Sequence, residues 1–139
     1  MQKVRVYIRS GIAGTHTKRG RVWYVLQTDT ARGPAEEGYT EEVIGTENRA
    51  HILALIGAMK RIRMPCEVHV YTKSSYLAGG WKAGWLDLWK QTGWKTAKGK
   101  PVRYAADWKK LLDLAEGHRV VFHVGETGDE KLWESFGGN

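Results

Sequence analysis

The 139 residues, 42% of them hydrophobic, suffice for one ordinary domain that buries about two-thirds of its unfolded surface. Three prolines, no long Gly/Ser tract and no repeat of linker or solenoid type argue against a multi-domain or repetitive chain. A single cysteine, Cys66, excludes an internal disulfide framework, and the formal net charge of +7 predicts attraction to polyanions.

The first element is a half-buried strand, in which Val4, Val6 and Ile8 alternate with Arg5 and Tyr7 and which ends near Arg9. A polar, glycine-rich stretch from Gly11 to Gly20 follows, then a β-rich run from Arg21 to Thr28. A third strand is expected between Gly38 and Ile44, past the turn signal Ala31-Arg32-Gly33-Pro34, giving an antiparallel meander. Its Glu36, Glu37, Glu41 and Glu42 read as a solvated hairpin face that discourages edge pairing.

Thr46 is a plausible N-cap for a helix whose Ile52, Leu55, Ile56, Met59 and Ile62 recur at spacings of three and four, with Pro65 beyond its end. Glu67 to Thr72 alternates again, with Cys66 as a buried strand residue, and Ser74 can cap a short helix ending at Gly79-Gly80. Trp81, Trp85 and Trp89 recur every four residues and predict one face of a further helix. Trp108, Leu111, Leu112 and Ala115 form the next helical stripe, closed by Gly117, and Arg119 to Val124 make a last strand. The fold class is α/β: the order βββαβααβ with a short tail implies a five-stranded mixed sheet flanked by helices, with strands 1, 4 and 5 parallel.

Charge is concentrated. Residues 81–110 hold eight Lys/Arg against two Asp/Glu, whereas residues 111–139 hold two against six. The N-terminus has no signal-peptide apolar core and no run is long enough to span a bilayer, so a cytoplasmic location without membrane association is expected.

Two stretches resemble one family. Glu47 to Leu77, a helix feeding a strand that ends in a polar turn, is similar to the heart of a ribonuclease H domain. The run Trp89-Lys90-Gln91-Thr92-Gly93-Trp94-Lys95-Thr96, with Lys100-Pro101-Val102 and Trp108 after it, resembles the basic protrusion of bacterial type 1 ribonucleases H. The resemblance covers roughly residues 3 to 125 and implies the ribonuclease H-like fold, a protrusion that contacts the DNA strand of an RNA/DNA hybrid, and a shortened C-terminal helix. It also implies a divergent member, because family carboxylates fall at Arg9, His51 and Lys73, where the family has N-R-x-E and T-D-S motifs. A remnant of the fourth acid is sought among Asp129, Glu130 and Glu134. Two divalent cations about 4 Å apart need several negative ligands, and one surviving acid is too few.

The candidate site is therefore expected to bind rather than to cut. Arg9 and Lys73 stand where the metals would lie and suit backbone phosphate, Arg as a fork and Lys as a point charge. The plain alternative is that both are solvated residues of an unused site. His51 is expected on the same cleft as a hydrogen-bonded or solvated histidine, with no metal-ligand spacing among the five histidines. Lys82, Lys90, Lys95, Lys98, Lys100 and Arg103 are candidates for a phosphate track, with Trp81 and Trp94 beside them. Trp85 and Trp89 are expected to anchor the protrusion to the body. Thr46 and Asn48 match family positions that contact backbone phosphate and the minor groove, and Ser74 keeps the polar residue after the lost acid. Family asparagines correspond to Leu88 and Tyr104, and Glu47 replaces another.

The expected function is non-catalytic binding of an RNA/DNA hybrid or other A-like duplex, without cofactor. Two alternatives are a Mg2+-dependent nuclease whose tail acids rebuild the site, and a module that holds a protein partner.

Overall fold

The computed structural model describes residues 1–136. Strands β1 (Gln2–Ser10), β2 (Lys18–Thr30) and β3 (Gly33–Gly45) form an antiparallel meander, joined to β4 (Cys66–Thr72) and β5 (Arg119–Val124) in the order β3-β2-β1-β4-β5. β1, β4 and β5 run parallel, with Val6 opposite Val70 and Val70 opposite Phe122. Helix α1 (Glu47–Met59) crosses from β3 to β4 and packs on the face carrying Val4, Val6, Ile8, Val68 and Val70, all buried. Each such side chain contributes about 1.5–3 kcal/mol on burial, so the period-two pattern fixes which face of the sheet is the core.

The cap expectations hold. The Thr46 hydroxyl accepts from Arg49 N at 3.3 Å to start α1, and the Ser74 hydroxyl accepts from Leu77 N at 3.1 Å to start α2 (Ser75–Lys82). α1 stops at Met59, so Ile62 lies beyond the helix yet still packs against the core. β3 starts five residues earlier than expected because its acidic half stays in register with β2, Pro34 opposite Asp29 and Glu37 opposite Leu26.

The expected single helix carrying Trp81, Trp85 and Trp89 is instead two. Gly84, at φ 72°, separates them, so Trp81 belongs to α2 while Trp85 and Trp89 belong to α3 (Trp85–Gln91). Nor does α2 end at Gly79-Gly80. A Cβ on Gly80 would lie 2.9 Å from the Trp108 ring, so this glycine permits a close helix approach rather than a stop.

α4 (Ala105–Ala115) buries Trp108, Leu111 and Ala115 against α1, and the positive φ of Gly117 turns the chain into β5. The short α5 (Glu130–Glu134) covers part of the other sheet face, packing Leu132 and Trp133 against Val25, Tyr7 and Trp23.

Candidate nucleic-acid interface

Arg9 lies at the C-terminal end of β1 and Lys73 directly follows β4. Both line one cleft of about 390 Å³ with Ser10, Trp23, Glu47, His51 and Thr127. Parallel strand ends are where sheets of this type receive ligands. The turn after β4 is well braced. Ser74 N donates to the Thr72 hydroxyl at 3.0 Å, and Gly125 N donates to the Thr72 carbonyl at 2.8 Å. That leaves the Lys73 side chain exposed over the opening.

Arg9 is half-buried, its guanidinium carbon 4.7 Å from the centre of the Trp133 ring, and Trp133 Nε1 donates to the Thr127 carbonyl. His51 is buried, 8% exposed, with Nδ1 3.4 Å from the Thr72 hydroxyl. Burial lowers its pKa, opposed by Glu47 one turn earlier, so the ring is held neutral within the wall of the cleft.

These side chains do not fit a pair of divalent cations. Among the described residues Glu47 is the one carboxylate lining the cleft, which also carries two cationic side chains. Asp129 caps α5, its carboxylate accepting from Leu132 N at 2.9 Å, while Glu130 and Glu134 are exposed on that helix. Among the described residues no group of three or more His, Cys, Asp or Glu side chains is placed to hold a metal ion. Hard cations require clustered oxygen ligands.

The segment expected as the basic protrusion comprises α3, a loop and α4. Trp89 packs between Trp94 and the buried Trp108, at ring separations of 6.2 and 6.0 Å, and so anchors it as expected. Trp85 does not: it is 46% exposed, with its ring against that of Trp89, because the break at Gly84 turns it away from the body. Lys82, Lys90, Lys95, Lys98, Lys100 and Arg103 are all exposed. Trp81 packs against Phe122 at 5.9 Å and Trp94 lies under Lys109. Both line a second cavity with Asp87, Asp113 and Glu116, apart from the residues of the cleft.

Asn48 lies half-buried in the first turn of α1. The Thr46 hydroxyl is also 2.5 Å from that of Tyr104, a contact no sequence spacing announces. Trp23 was likewise missed as a cleft residue: alternation with Val22 and Tyr24 gives the face it occupies, while its place opposite Arg9 depends on the β1–β2 register.

Residues 1–126 match the family model of RNase H. The chain belongs to the RNase H family. A ribonuclease H of Prosthecochloris aestuarii is 36% identical over 122 residues, covering 88% of this chain and 81% of that protein. One from Thermus thermophilus is 44% identical over 89 residues, covering 63% and 54% respectively. Among solved structures, LC9-RNase H1, described as a type 1 RNase H with the type 2 active-site motif, superposes with a TM-score of 0.75 at 21% identity. It covers 96% of this chain and 68% of that one. A foamy viral protease-reverse transcriptase in complex with RNA/DNA hybrid gives 0.70 at 17% identity, over 99% of this chain and 19% of that one. The mixed five-stranded sheet flanked by helices is thus the RNase H fold.

Proposed function

We propose that this chain is a divergent, non-catalytic RNase H family member that binds nucleic acid, an RNA/DNA hybrid or another A-like duplex. Binding uses the basic protrusion and the cationic cleft. The observation that carries the reading is that Arg9 and Lys73 line one cleft at the ends of parallel strands, where the described residues do not supply the clustered carboxylates that two metals require. Cations that engage phosphate directly displace condensed counterions, so affinity falls steeply with salt. Shape and backbone contacts dominate recognition of A-like duplexes, a mode of binding independent of hydrolysis.

The test is binding of purified protein to RNA/DNA hybrid, double-stranded RNA and double-stranded DNA at two salt concentrations, with magnesium or with chelator. Cleavage is followed on the same gel. Salt-sensitive, chelator-resistant binding without cleavage, weakened in Arg9→Ala/Lys73→Ala, is expected. Magnesium-dependent cleavage overturns the non-catalytic reading, and binding to none of the duplexes overturns the nucleic-acid reading in favour of a protein partner.

A further inference from the structure

Among the described residues, the two non-glycine positions with positive φ are Trp94 at 63° and Tyr104 at 60°. They bracket the segment that carries Lys95, Lys98, Lys100 and Arg103. Left-handed backbone is unfavourable for bulky aromatic residues and persists only where surrounding contacts enforce it, which happens most often at functional segments. Between these corners the chain is a small closed hairpin. Val102 N donates to the Trp94 carbonyl at 2.9 Å, Lys95 bridges Pro101, and Thr96 N donates to the Lys100 carbonyl at 2.7 Å.

Each corner is pinned by its own ring. Trp94 packs on Trp89, and its N–H donates to the Trp89 carbonyl at 2.7 Å. Tyr104 meets Tyr76 edge to face at 6.5 Å, and its hydroxyl reaches the N-cap hydroxyl of α1 at Thr46, 58 residues away in sequence. Three residues on, Asp107 accepts from Arg49 Nε at 2.9 Å, and Arg49 Nη1 donates to the Ile44 carbonyl at 2.8 Å. The base of the hairpin is therefore fastened to the first turn of the helix whose Glu47 and His51 line the cleft.

We infer that Tyr104 is a positioning residue that latches the cationic hairpin to the N-terminus of α1, so that hairpin and cleft meet one duplex at a fixed spacing. This rests on the nucleic-acid reading above. Two cationic patches held at a set separation engage a polyanion together, and a loosened link lowers the effective concentration of the second patch once the first is bound. The phenol carries no charge and its hydroxyl is engaged with Thr46, so a change in salt slope on its removal reports the placement of the cations.

The experiment compares wild type, Tyr104→Phe, Thr46→Val and Thr46→Ser for binding to an RNA/DNA hybrid across a salt series, alongside thermal melting. Tyr104→Phe keeps the Tyr76 packing and removes only the hydroxyl. The expected result is an affinity loss of about fivefold, the worth of one ordinary hydrogen bond, with a shallower salt dependence. Thr46→Val should behave similarly, and Thr46→Ser, which retains the hydroxyl, should restore binding. In an Arg9→Ala/Lys73→Ala background, the Tyr104→Phe loss should shrink, because the second patch is no longer there to be coupled. Unchanged affinity and salt slope in Tyr104→Phe, or a loss of equal size in both backgrounds, overturns the latch while wild-type binding leaves the broader reading standing. A wild type that binds no duplex overturns both.

Discussion

The cleft and the protrusion are both cationic but are built on opposite plans. In the cleft a few groups are held by the sheet: Arg9 lies over Trp133, and Lys73 leaves a turn braced through Thr72 and Ser74. In the protrusion the cations are many and exposed, while rigidity comes from the aromatic base of Trp89, Trp94 and Trp108. On the proposed reading, position matters most in the first region and number in the second, where each phosphate neutralised would add to the salt dependence.

The largest way to break this comparison is to remove the aromatic base. Trp108 is fully buried and touches the rings of Tyr76 and Trp89, so Trp108→Ala should cost about 3–5 kcal/mol in urea unfolding. It should also abolish the contribution of the hairpin to binding. Gly80→Ala is the smaller steric version. Its new methyl meets the Trp108 ring, and a loss of about 1–3 kcal/mol is expected in the same measurement.

A charge experiment sharpens the contrast without touching the fold. Lys95→Ala/Lys98→Ala/Lys100→Ala should leave the melting temperature nearly unchanged, because all three side chains are exposed. It should flatten the plot of log affinity against log salt by about 0.7–0.9 for each phosphate that is no longer neutralised.

The cleft has a pH signature. His51 is held neutral by burial, with a folded pKa below its ordinary value, so the unfolded chain binds more protons as the medium is acidified through the histidine range. Its contribution is complete above the unfolded pKa, near 6.5, and is lost as pH falls below it, with a ceiling of about 1.4 kcal/mol per pH unit for one group. His51→Gln should remove that slope in denaturant titrations between pH 7 and 5. Arg9→Ala removes the contact with the Trp133 ring among its interactions, and a loss of at least about 0.5–1 kcal/mol of stability is expected by the same titration at pH 7.

Where chain-local physics decides, the sequence was readable. Alternation of Val4, Val6 and Ile8, the apolar spacing in α1, and the hydroxyls of Thr46 and Ser74 announced strand, helix and caps, because each depends on neighbours within a turn or two. The convergence of Arg9, His51 and Lys73 on one cleft followed from the family resemblance, which supplies the parallel order of β1 and β4. Three features were hidden. A four-residue tryptophan spacing does not reveal that Gly84 breaks the helix between its first two members, since a glycine is compatible with either outcome until packing chooses. Gly80 reads as a terminator until Trp108, 28 residues away, is brought against it. The meeting of Tyr104 with Thr46 depends on how α4 docks on α1, a tertiary fact with no local sign.

The sheet surface away from α1 carries a row of rings across three strands. Tyr7 and Tyr71 are 4.7 Å apart, Tyr71 and His123 4.5 Å, and His69 and His123 5.1 Å, with interplanar angles of 9–22°. Those separations are close to the spacing of paired strands, so the rings stand upright like books on a shelf, each with its broad side against its neighbour. Stacking takes up the broad sides, and Tyr7 is further packed against Leu132 and Trp133. A platform for unpaired bases needs broad sides open to receive them, and this row has already used its own in holding β1, β4 and β5 together.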